Sequence, residues 1–401
     1  MSREIDLWRV VANDACLIER AAAVDPADVA AITKLRRDYS ADVVSVALSL
    51  VVARGKAAPK FGKLSERLIA DVAGVEQASS ADVAAYKADR IAQRLGGQAA
   101  VADLCCGIGG DSMALSLAGL SVIAVDRDPL RAWMTTRNST QRTRGVCADV
   151  CGLEWGDLPI HLDPARRNEH SGKRSWRLAD YQPGPEAIGA LLDRSPAAAI
   201  KLSPGVDLES LPWPGEVEFI SDRGRLVQAM LWCGGFAEHD RQATLIRGTQ
   251  RHQLRGTPTV PDYAPAQRYL YTFDASVERA DLIGQLSAQL DAPVVHPRLG
   301  LLTSDRVIDS PWVVGFELVE RLPWRPKRVK QWLGTNDGGL VEVKTRGKAC
   351  DPDKEQQRLR GRGTTPYTVF VLRFDTKVQA LIARRIVLSE HEASASDPSV
   401  R

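Results

Sequence analysis

One stretch in the first third of the chain constrains the fold more than any other. Residues 99–129 read AAVADLCCGIGGDSMALSLAGLSVIAVDRDP: an apolar run, a glycine-rich turn, a helical stretch and a second apolar run ending in carboxylates. The first run suits a buried parallel strand, and Gly107, Gly109 and Gly110 let the backbone turn sharply beside a ligand. Asp126, at the end of the second run, is placed to accept hydrogen bonds from a ribose. This order predicts a nucleotide-cofactor site.

The spacing within the turn disfavours a dinucleotide. The dinucleotide pattern G-x-G-x-x-G needs a third glycine where this chain has Ser112. Asp103 and Asp111 would repel a pyrophosphate, but they suit a cofactor that is cationic at its reactive end, such as S-adenosylmethionine. We therefore predict S-adenosylmethionine as the cofactor, with these binding residues in this stretch: Asp103, Cys105, Gly107, Gly109, Asp111, Asp126 and Arg127.

Composition sets the outer limits of the fold and the setting. The chain has 401 residues, 44% of them hydrophobic, which is enough for two or three domains. No apolar stretch reaches the roughly 18 residues of a membrane span, and the charged N-terminus does not resemble a signal peptide. The seven cysteines form no disulfide-like framework, so we expect a cytoplasmic protein. Their spacing predicts no metal site.

Alternating strand and helix patterns run from Ala99 to about Arg247 and predict an α/β fold with a Rossmann-like parallel sheet. The expected strands are Ala99–Leu104, Val122–Val125, Gly145–Ala148, Leu158–Leu162, Ala197–Leu202 and Gln228–Cys233. We expect an N-terminal helical domain over 1–95, the cofactor-binding domain over 96–260, a connecting region over 261–320, a small basic α+β domain over 321–390 and a disordered tail over 391–401. Within the first of these, the spacing predicts a helix from Ser80 to Leu95.

The order of motifs resembles a known family. D-L-x-x-G-x-G-G-D from Asp103 resembles motif I of class I methyltransferases. Together with Gln77–Arg90, VIAVDRDP and HLDPARR, it resembles bacterial class I methyltransferases with a C-terminal THUMP-like domain, and the core is similar to trimethylguanosine synthase. The resemblance implies a class I methyltransferase sheet, a THUMP-like basic domain and RNA as the substrate class. It also implies that Asp149 bonds the adenine amine.

The motif at the fourth strand points to the acceptor site. In nucleic-acid amine methyltransferases the matching motif is Asp or Asn, Pro, Pro and an aromatic residue. A carboxylate and a backbone carbonyl then accept the two N–H bonds of the amine, and proline holds the turn rigid. This chain keeps Asp163-Pro164 but continues with Ala165-Arg166. Uracil C5-methyltransferases carry D-P-A-R here, but they also need a cysteine after the fifth strand, and Ala198–Pro204 has none. We predict catalytic roles for Asp163, Pro164 and Arg166.

Two further regions are candidates for substrate binding. Arg167 and Trp176 lie in a long basic loop after the motif, and Trp176 could stack on a flipped base or pack beneath the loop. His161, before the motif, is expected to be a core residue.

The segment Arg321–Arg362 holds twelve Lys and Arg against five Asp and Glu, so it is expected to meet polyanions unless it is only a solvated face. Trp324 and Trp332 lie among its basic residues and offer stacking surfaces. The candidates are Arg325, Lys327, Arg328, Lys330, Lys344 and Arg346.

The sequence as a whole predicts an S-adenosylmethionine-dependent methyltransferase that modifies a base nitrogen in structured RNA, either tRNA or rRNA. Two alternatives stay open at this point. One is a methyltransferase acting on protein or a small molecule. The other is a non-catalytic RNA-binding protein that retains the cofactor pocket.

Overall fold

A computed structural model describes residues 3–25, 27–96, 99–153, 156–166, 177–297, 299–346 and 348–387. The chain divides into two compact units: Met1–Val217 with Gln228–Glu238, and Glu218–Val227 with His239–Arg401. Within the described ranges, no helix is both long and apolar enough to cross a membrane.

Six α-helices come first among the described residues of the first unit. They are α1 (Arg3–Ala12), α2 (Ala15–Ala22), α3 (Val29–Leu35), α4 (Ala41–Phe61), α5 (Val72–Gln77) and α6 (Ala81–Leu95). Serine side chains cap two of them, because Ser40 Oγ accepts from Val43 N and Ser80 Oγ accepts from Val83 N. The helix predicted to start at Ser80 and to end at Leu95 is confirmed.

A parallel sheet follows the helices. This part of the chain contains β1 (Ala100–Leu104), α7 (Gly110–Leu117), β2 (Ser121–Asp126), α8 (Pro129–Asn138), β3 (Thr143–Cys147), β4 (Ile160–Leu162), β5 (Ala165–Arg166), β6 (Tyr181–Gln182), α9 (Pro185–Leu192) and β7 (Ala197–Leu202). Of these, β5 and β6 form a separate antiparallel pair. Strands β3, β2, β1, β4 and β7 lie side by side in that order, all parallel. The first five predicted strands are confirmed, with small shifts at their ends.

The end of this sheet corrects the prediction of a purely parallel arrangement. Gln228–Cys233 lies in β9 (Arg225–Gly234), which pairs antiparallel with β7. Before it comes β8 (Glu216–Asp222), a strand that the sequence analysis missed. Glu216 and Glu218 make this stretch look solvent-exposed, but both are fully buried. They are stabilised by Arg90 and by Gln242, respectively.

The N-terminal helices share a hydrophobic core with the glycine turn. One buried cluster contains Trp8 and Leu50 from the helices together with Ile108 of the turn and Met134 of α8. Burying a large apolar side chain contributes roughly 1.5–3 kcal/mol. The turn is therefore packed from one side by residues far away in sequence.

The second unit contains two antiparallel strands, β10 (Arg241–Arg247) and β11 (Gln250–Gly256), and a six-stranded sheet. The elements of the sheet are β12 (Tyr269–Phe273), α10 (Ala275–Arg279), α11 (Ile283–Leu290), β13 (Leu302–Ser304), β14 (Val313–Pro323), α12 (Pro326–Thr335), β15 (Gly338–Arg346), α13 (Pro352–Leu359), β16 (Thr365–Phe374) and β17 (Lys377–Arg385).

The strand order in this sheet is β13-β12-β14-β17-β16-β15. Strands β15 and β16 are parallel and joined through α13, whereas the other neighbours are antiparallel. Val329 and Leu333 of α12 and Leu359 of α13 pack on the sheet in a common core. The basic segment Arg321–Arg362 thus belongs to a well-packed α+β structure.

Candidate active site

The glycine turn between β1 and α7 has a backbone that few residues can adopt. Cys105, Gly107 and Gly109 have φ values of +60°, +58° and +85°, in the left-handed region. A Cβ on Gly109 would lie 2.9 Å from Cα of Thr135, so α8 packs directly on the turn. A Cβ on Gly107 would have no neighbour within 4 Å. The turn is therefore packed at Gly109 and open at Gly107, as a loop that holds a ligand requires.

Asp126 ties the end of β2 to this turn. Its Oδ2 accepts a hydrogen bond from Gly107 N at 2.9 Å, and its Oδ1 accepts from Asp128 N at 3.0 Å. Burial raises the pKa of the Asp126 carboxyl, and these two backbone N–H groups offset only part of that effect. Each carboxylate oxygen has a further lone pair, so Asp126 can still accept hydrogen bonds from a ribose.

Asp103 and Asp111, predicted to face the cofactor, lie in the interior with partners of their own. Asp103 is 1% exposed, and it accepts from Ser112 Oγ and contacts His161 Nδ1 at 2.8 Å. Asp111 Oδ1 lies 2.6 Å from Lys87 Nζ. Burial alone would raise the pKa of Asp111, but Lys87, His161 and Lys201 lower it overall. Lys87 therefore partly compensates the negative charge that the sequence predicted at the turn.

Lys87, which was not predicted from the sequence, lies beside the predicted site residue Asp111. Its ammonium is buried among Asp111, Ser79 Oγ at 3.3 Å and His161 Nε2 at 3.3 Å. His161 is buried as predicted, but it links Asp103 to Lys87 rather than filling an apolar core. One signal could have revealed Lys87, because it lies four residues from both Val83 and Ile91 on the buried face of α6.

Asp163 follows β4 and is anchored by a second buried lysine. Its backbone N donates to Leu104 O at 3.1 Å, and its Oδ2 accepts from Lys201 Nζ at 2.6 Å. Lys201, in the neighbouring strand β7, also donates to Gln77 O at 3.3 Å. Pro164 is buried, which fits a rigid turn. Lys201 was not among the residues predicted from the sequence, where the end of this strand was notable only for its lack of a cysteine.

Three other predicted residues lie around the ends of the same strands. Asp149 follows β3, is exposed and accepts from Cys151 N at 2.9 Å. Arg127 donates to Gln182 Oε1 at 3.2 Å. Cys105 is half-buried, and burial, together with Asp126, Asp163 and Asp103, raises the pKa of its thiol far above the ordinary value. Cys105 is thus a neutral thiol at pH 7 and no ready nucleophile.

The residues after Asp163-Pro164 are only partly described. Arg166 lies in β5, opposite Tyr181 of β6. The Tyr181 hydroxyl accepts from Ser203 N at 2.8 Å, which ties this small pair of strands to the end of β7. Arg167 and Trp176 lie outside the described residues.

The basic candidates of the second unit lie mainly on α12. Lys327, Arg328 and Lys330 are exposed on this helix, and Arg325 precedes it. Lys344 pairs with Glu342 at 2.7 Å, and Arg346 pairs with Glu278 at 3.4 Å.

The two tryptophans of this region, predicted to offer stacking surfaces, also contact the hydrophobic core. Trp324 and Trp332 are half-buried and pack on the hydrophobic core, and Trp332 stands edge-on to Tyr367 with ring centroids 5.5 Å apart. Apolar packing therefore covers part of each side chain, and stacking on bases stays a prediction.

Comparisons with known proteins agree with this geometry. A crystal structure from Porphyromonas gingivalis, assigned as a methyltransferase, superposes with a TM-score of 0.70 over 96% of this chain and 98% of its own, at 18% identity. At this identity the likeness shows the fold alone. Residues 313–385 match the family model for THUMP domain-like sequences.

A curated relative, in two strains of Mycobacterium tuberculosis, is an uncharacterized S-adenosylmethionine-dependent methyltransferase. It is 34% identical over 337 residues, covering 80% of this chain and 90% of the relative. The fold is shared with that methyltransferase structure. The chain belongs to the family of S-adenosylmethionine-dependent methyltransferases, with a THUMP-like domain near its C-terminus.

Proposed function

We propose that this methyltransferase acts on structured RNA and transfers the methyl group to a base nitrogen. The observation that carries the proposal is Asp163-Pro164 at the end of β4, with the Asp163 carboxylate fixed by Lys201 next to the strand that leads into the glycine turn. This arrangement places a hydrogen-bond acceptor beside the strand that carries the cofactor loop.

The turn and the neighbouring strand ends fit S-adenosylmethionine, which supplies an electrophilic methyl group when bound. The open side of Gly107 leaves room for the ligand, and Asp126 would accept from its ribose hydroxyls. Asp149, exposed after β3, would bond the adenine amine. Asp103 and Asp111 would act from the interior, by holding α7 and α6 around the turn.

Asp163 would orient the acceptor. An exocyclic amine is a weak nucleophile because its lone pair is delocalised into the base. Hydrogen bonds from its two N–H groups to Asp163 and to a backbone carbonyl would localise that lone pair, and buried Pro164 would keep the carbonyl aimed. Most of the rate enhancement would then come from positioning the amine in line with the methyl group.

Two features support RNA as the substrate class. Lys327, Arg328 and Lys330 form an exposed basic surface on α12, here called the α12 surface. It lies within the segment that matches the THUMP-like family model. Lysine and arginine side chains on a surface of this kind bind the backbone phosphates of a nucleic acid, whatever its base sequence.

Methyl transfer from labelled S-adenosylmethionine into total RNA of cells that lack this protein tests the proposal, followed by nucleoside analysis. We expect label in a base-methylated nucleoside, and we expect D163A to bind the cofactor and lose the transfer. Label that survives ribonuclease in a protein or small-molecule fraction would establish a different substrate class. Binding of both RNA and the cofactor, with no transfer to any fraction, would indicate a non-catalytic RNA-binding protein.

A further inference from the structure

Lys201 and Asp163 form a closely bonded pair at the centre of the candidate site. The Nζ to Oδ2 distance is 2.6 Å, and the side chains are 6% and 26% exposed. Ile200, the residue before Lys201, pairs with Leu162, the residue before Asp163, in the parallel ladder of β4 and β7. The two side chains thus meet because the strand register brings both strand ends level.

A buried ammonium is costly to place unless it is well bonded. Lys201 has two acceptors, Asp163 Oδ2 and Gln77 O at 3.3 Å, and its charge also contributes to lowering the pKa of Asp111. A methionine could fill the same volume without this cost. The charge at position 201 therefore calls for a role beyond packing.

The pair uses the two carboxylate oxygens unequally. Among the described residues, the hydrogen bond to the Asp163 side chain comes from Lys201 and reaches Oδ2. Oδ1 keeps its lone pairs for an incoming group. Asp163 by itself would rotate among several rotamers, whereas the bond from Lys201 fixes the direction in which Oδ1 points.

We propose that Lys201 is a positioning and specificity-determining residue for methyl transfer. It holds Asp163 so that Oδ1 accepts a hydrogen bond from the acceptor nitrogen. This inference rests on the proposed role of Asp163. It commits the enzyme to acceptors that present an N–H donor, since a ring nitrogen with only a lone pair would face a carboxylate oxygen and find no partner.

A double-mutant cycle tests the proposal, with K201M, K201R, D163N and K201M/D163N assayed on total RNA from cells lacking the protein. We expect K201M to lower kcat by about 10–100-fold, the loss of one charge-assisted hydrogen bond. The S-adenosylmethionine Kd should stay within about twofold, and K201R should recover much of the rate. In the D163N background, K201M should cost less than about threefold, because Lys201 acts through Asp163.

Lys56 provides a matched control, since it pairs with Glu76 at 2.9 Å on the surface, and K56M should keep full activity. If K201M lowered kcat equally in the wild-type and D163N backgrounds, the proposed role of Lys201 would be overturned. A K201M enzyme with normal kcat, when D163N is impaired, would have the same meaning. Neither result would affect the proposed role of Asp163. A fully active D163A would instead overturn the proposed acceptor site. If thermal unfolding shows that K201M does not fold, K201Q takes its place in the cycle.

Discussion

His161 Nδ1 lies 2.8 Å from Asp103 Oδ1, and both side chains are 1% exposed. The two residues stand directly opposite each other in the parallel ladder of β1 and β4. This buried contact joins the strand that leads into the glycine turn to the strand that leads into Asp163. The distance between the proposed cofactor and acceptor sites is thus set by side chains as well as by the sheet.

Lys87 should be essential for stability. K87M would leave the buried Asp111 carboxylate without its ammonium partner, and we expect a loss of about 3–5 kcal/mol in the free energy of unfolding. Urea unfolding measures this loss. K56M, which removes a surface partner of Glu76, should change stability by less than about 1 kcal/mol. A K87M protein as stable as K56M would contradict the importance of the buried pair.

The same pair gives a pH dependence with a definite sign. The folded-state pKa of Asp111 lies below its ordinary value of 3.8, so the pair stabilises the protein above that value and loses its effect as pH falls through the folded pKa. The stability difference between wild type and K87M should therefore be largest near neutral pH and shrink in acid. Urea titrations at several pH values measure it, and a difference that grows toward acid would contradict the assignment.

Asp126 should govern cofactor affinity. D126A removes an acceptor of ribose hydrogen bonds and also frees Gly107 N, so we expect S-adenosylmethionine binding to weaken by about 10–100-fold in calorimetry. D193A removes an exposed carboxylate after α9 and serves as the control, with unchanged affinity. If the affinity of D126A were unchanged, the proposed contact between Asp126 and the ribose would be excluded.

The affinity should also fall in mild acid. Because burial raises the pKa of Asp126, its carboxyl gains a proton at a pH above the ordinary 3.8. The protonated group is a poorer acceptor, so wild-type affinity should begin to drop before the pH reaches 3.8. D126N, which does not titrate there, should lack this step. Calorimetry across the acid range compares the two proteins.

Two glycines of the turn should respond differently to alanine. G109A places a Cβ 2.9 Å from Cα of Thr135 on a left-handed backbone, and we expect a loss of about 2–5 kcal/mol in stability. G107A adds only backbone strain of about 1–2 kcal/mol, but its Cβ enters the space proposed for the cofactor. Thermal unfolding and calorimetry together should separate the effects. G55A, in open space on α4, is the control and should not lower stability.

The α12 surface should bind RNA through phosphates. Reversing its charges in K327E/R328E/K330E should weaken RNA binding and lower the slope of log Kd against log salt by up to about 3, roughly 1 per lost contact. S-adenosylmethionine affinity should not change. The matched control is R36E/R37E, two exposed arginines after α3. Equal salt slopes in the two variants would exclude the α12 surface from RNA binding.

Local pattern was sufficient to predict most of the cofactor half. The apolar runs and the glycines located β1, β2 and the turn, because these features depend on neighbours in sequence. The burial of Lys87 and Lys201 was not predicted, because their partners lie far away in sequence. These partners, Asp111 and Asp163, are 24 and 38 residues away, respectively. A single lysine in a periodic helix or at a strand end is ordinarily solvated, and its burial depends on the tertiary fold.

The missed strand and the unforeseen packing of the tryptophans have the same physical origin. Glu216 and Glu218 break the apolar pattern of β8, and partners that lie elsewhere in the sequence, among them Arg90 and Gln242, stabilise their buried carboxylates. Trp332 lies among basic residues in sequence, yet the helix turns it toward Tyr367 and the core. A count of charged residues shows which residues are neighbours along the chain, but it does not show in which direction a side chain points.

The shared core of the N-terminal helices and the glycine turn has a consequence for the evolution of this enzyme. Trp8 and Leu50 belong to the same packed cluster as Ile108 of the turn, although neither helix carries a predicted ligand contact. A volume change at either position must be absorbed by the residues that shape the cofactor loop. Substitutions in α1 and α4 are therefore expected to occur together with compensating substitutions around Ile108. Among related proteins, the sequences of these two helices should then vary together with the sequence of the cofactor loop.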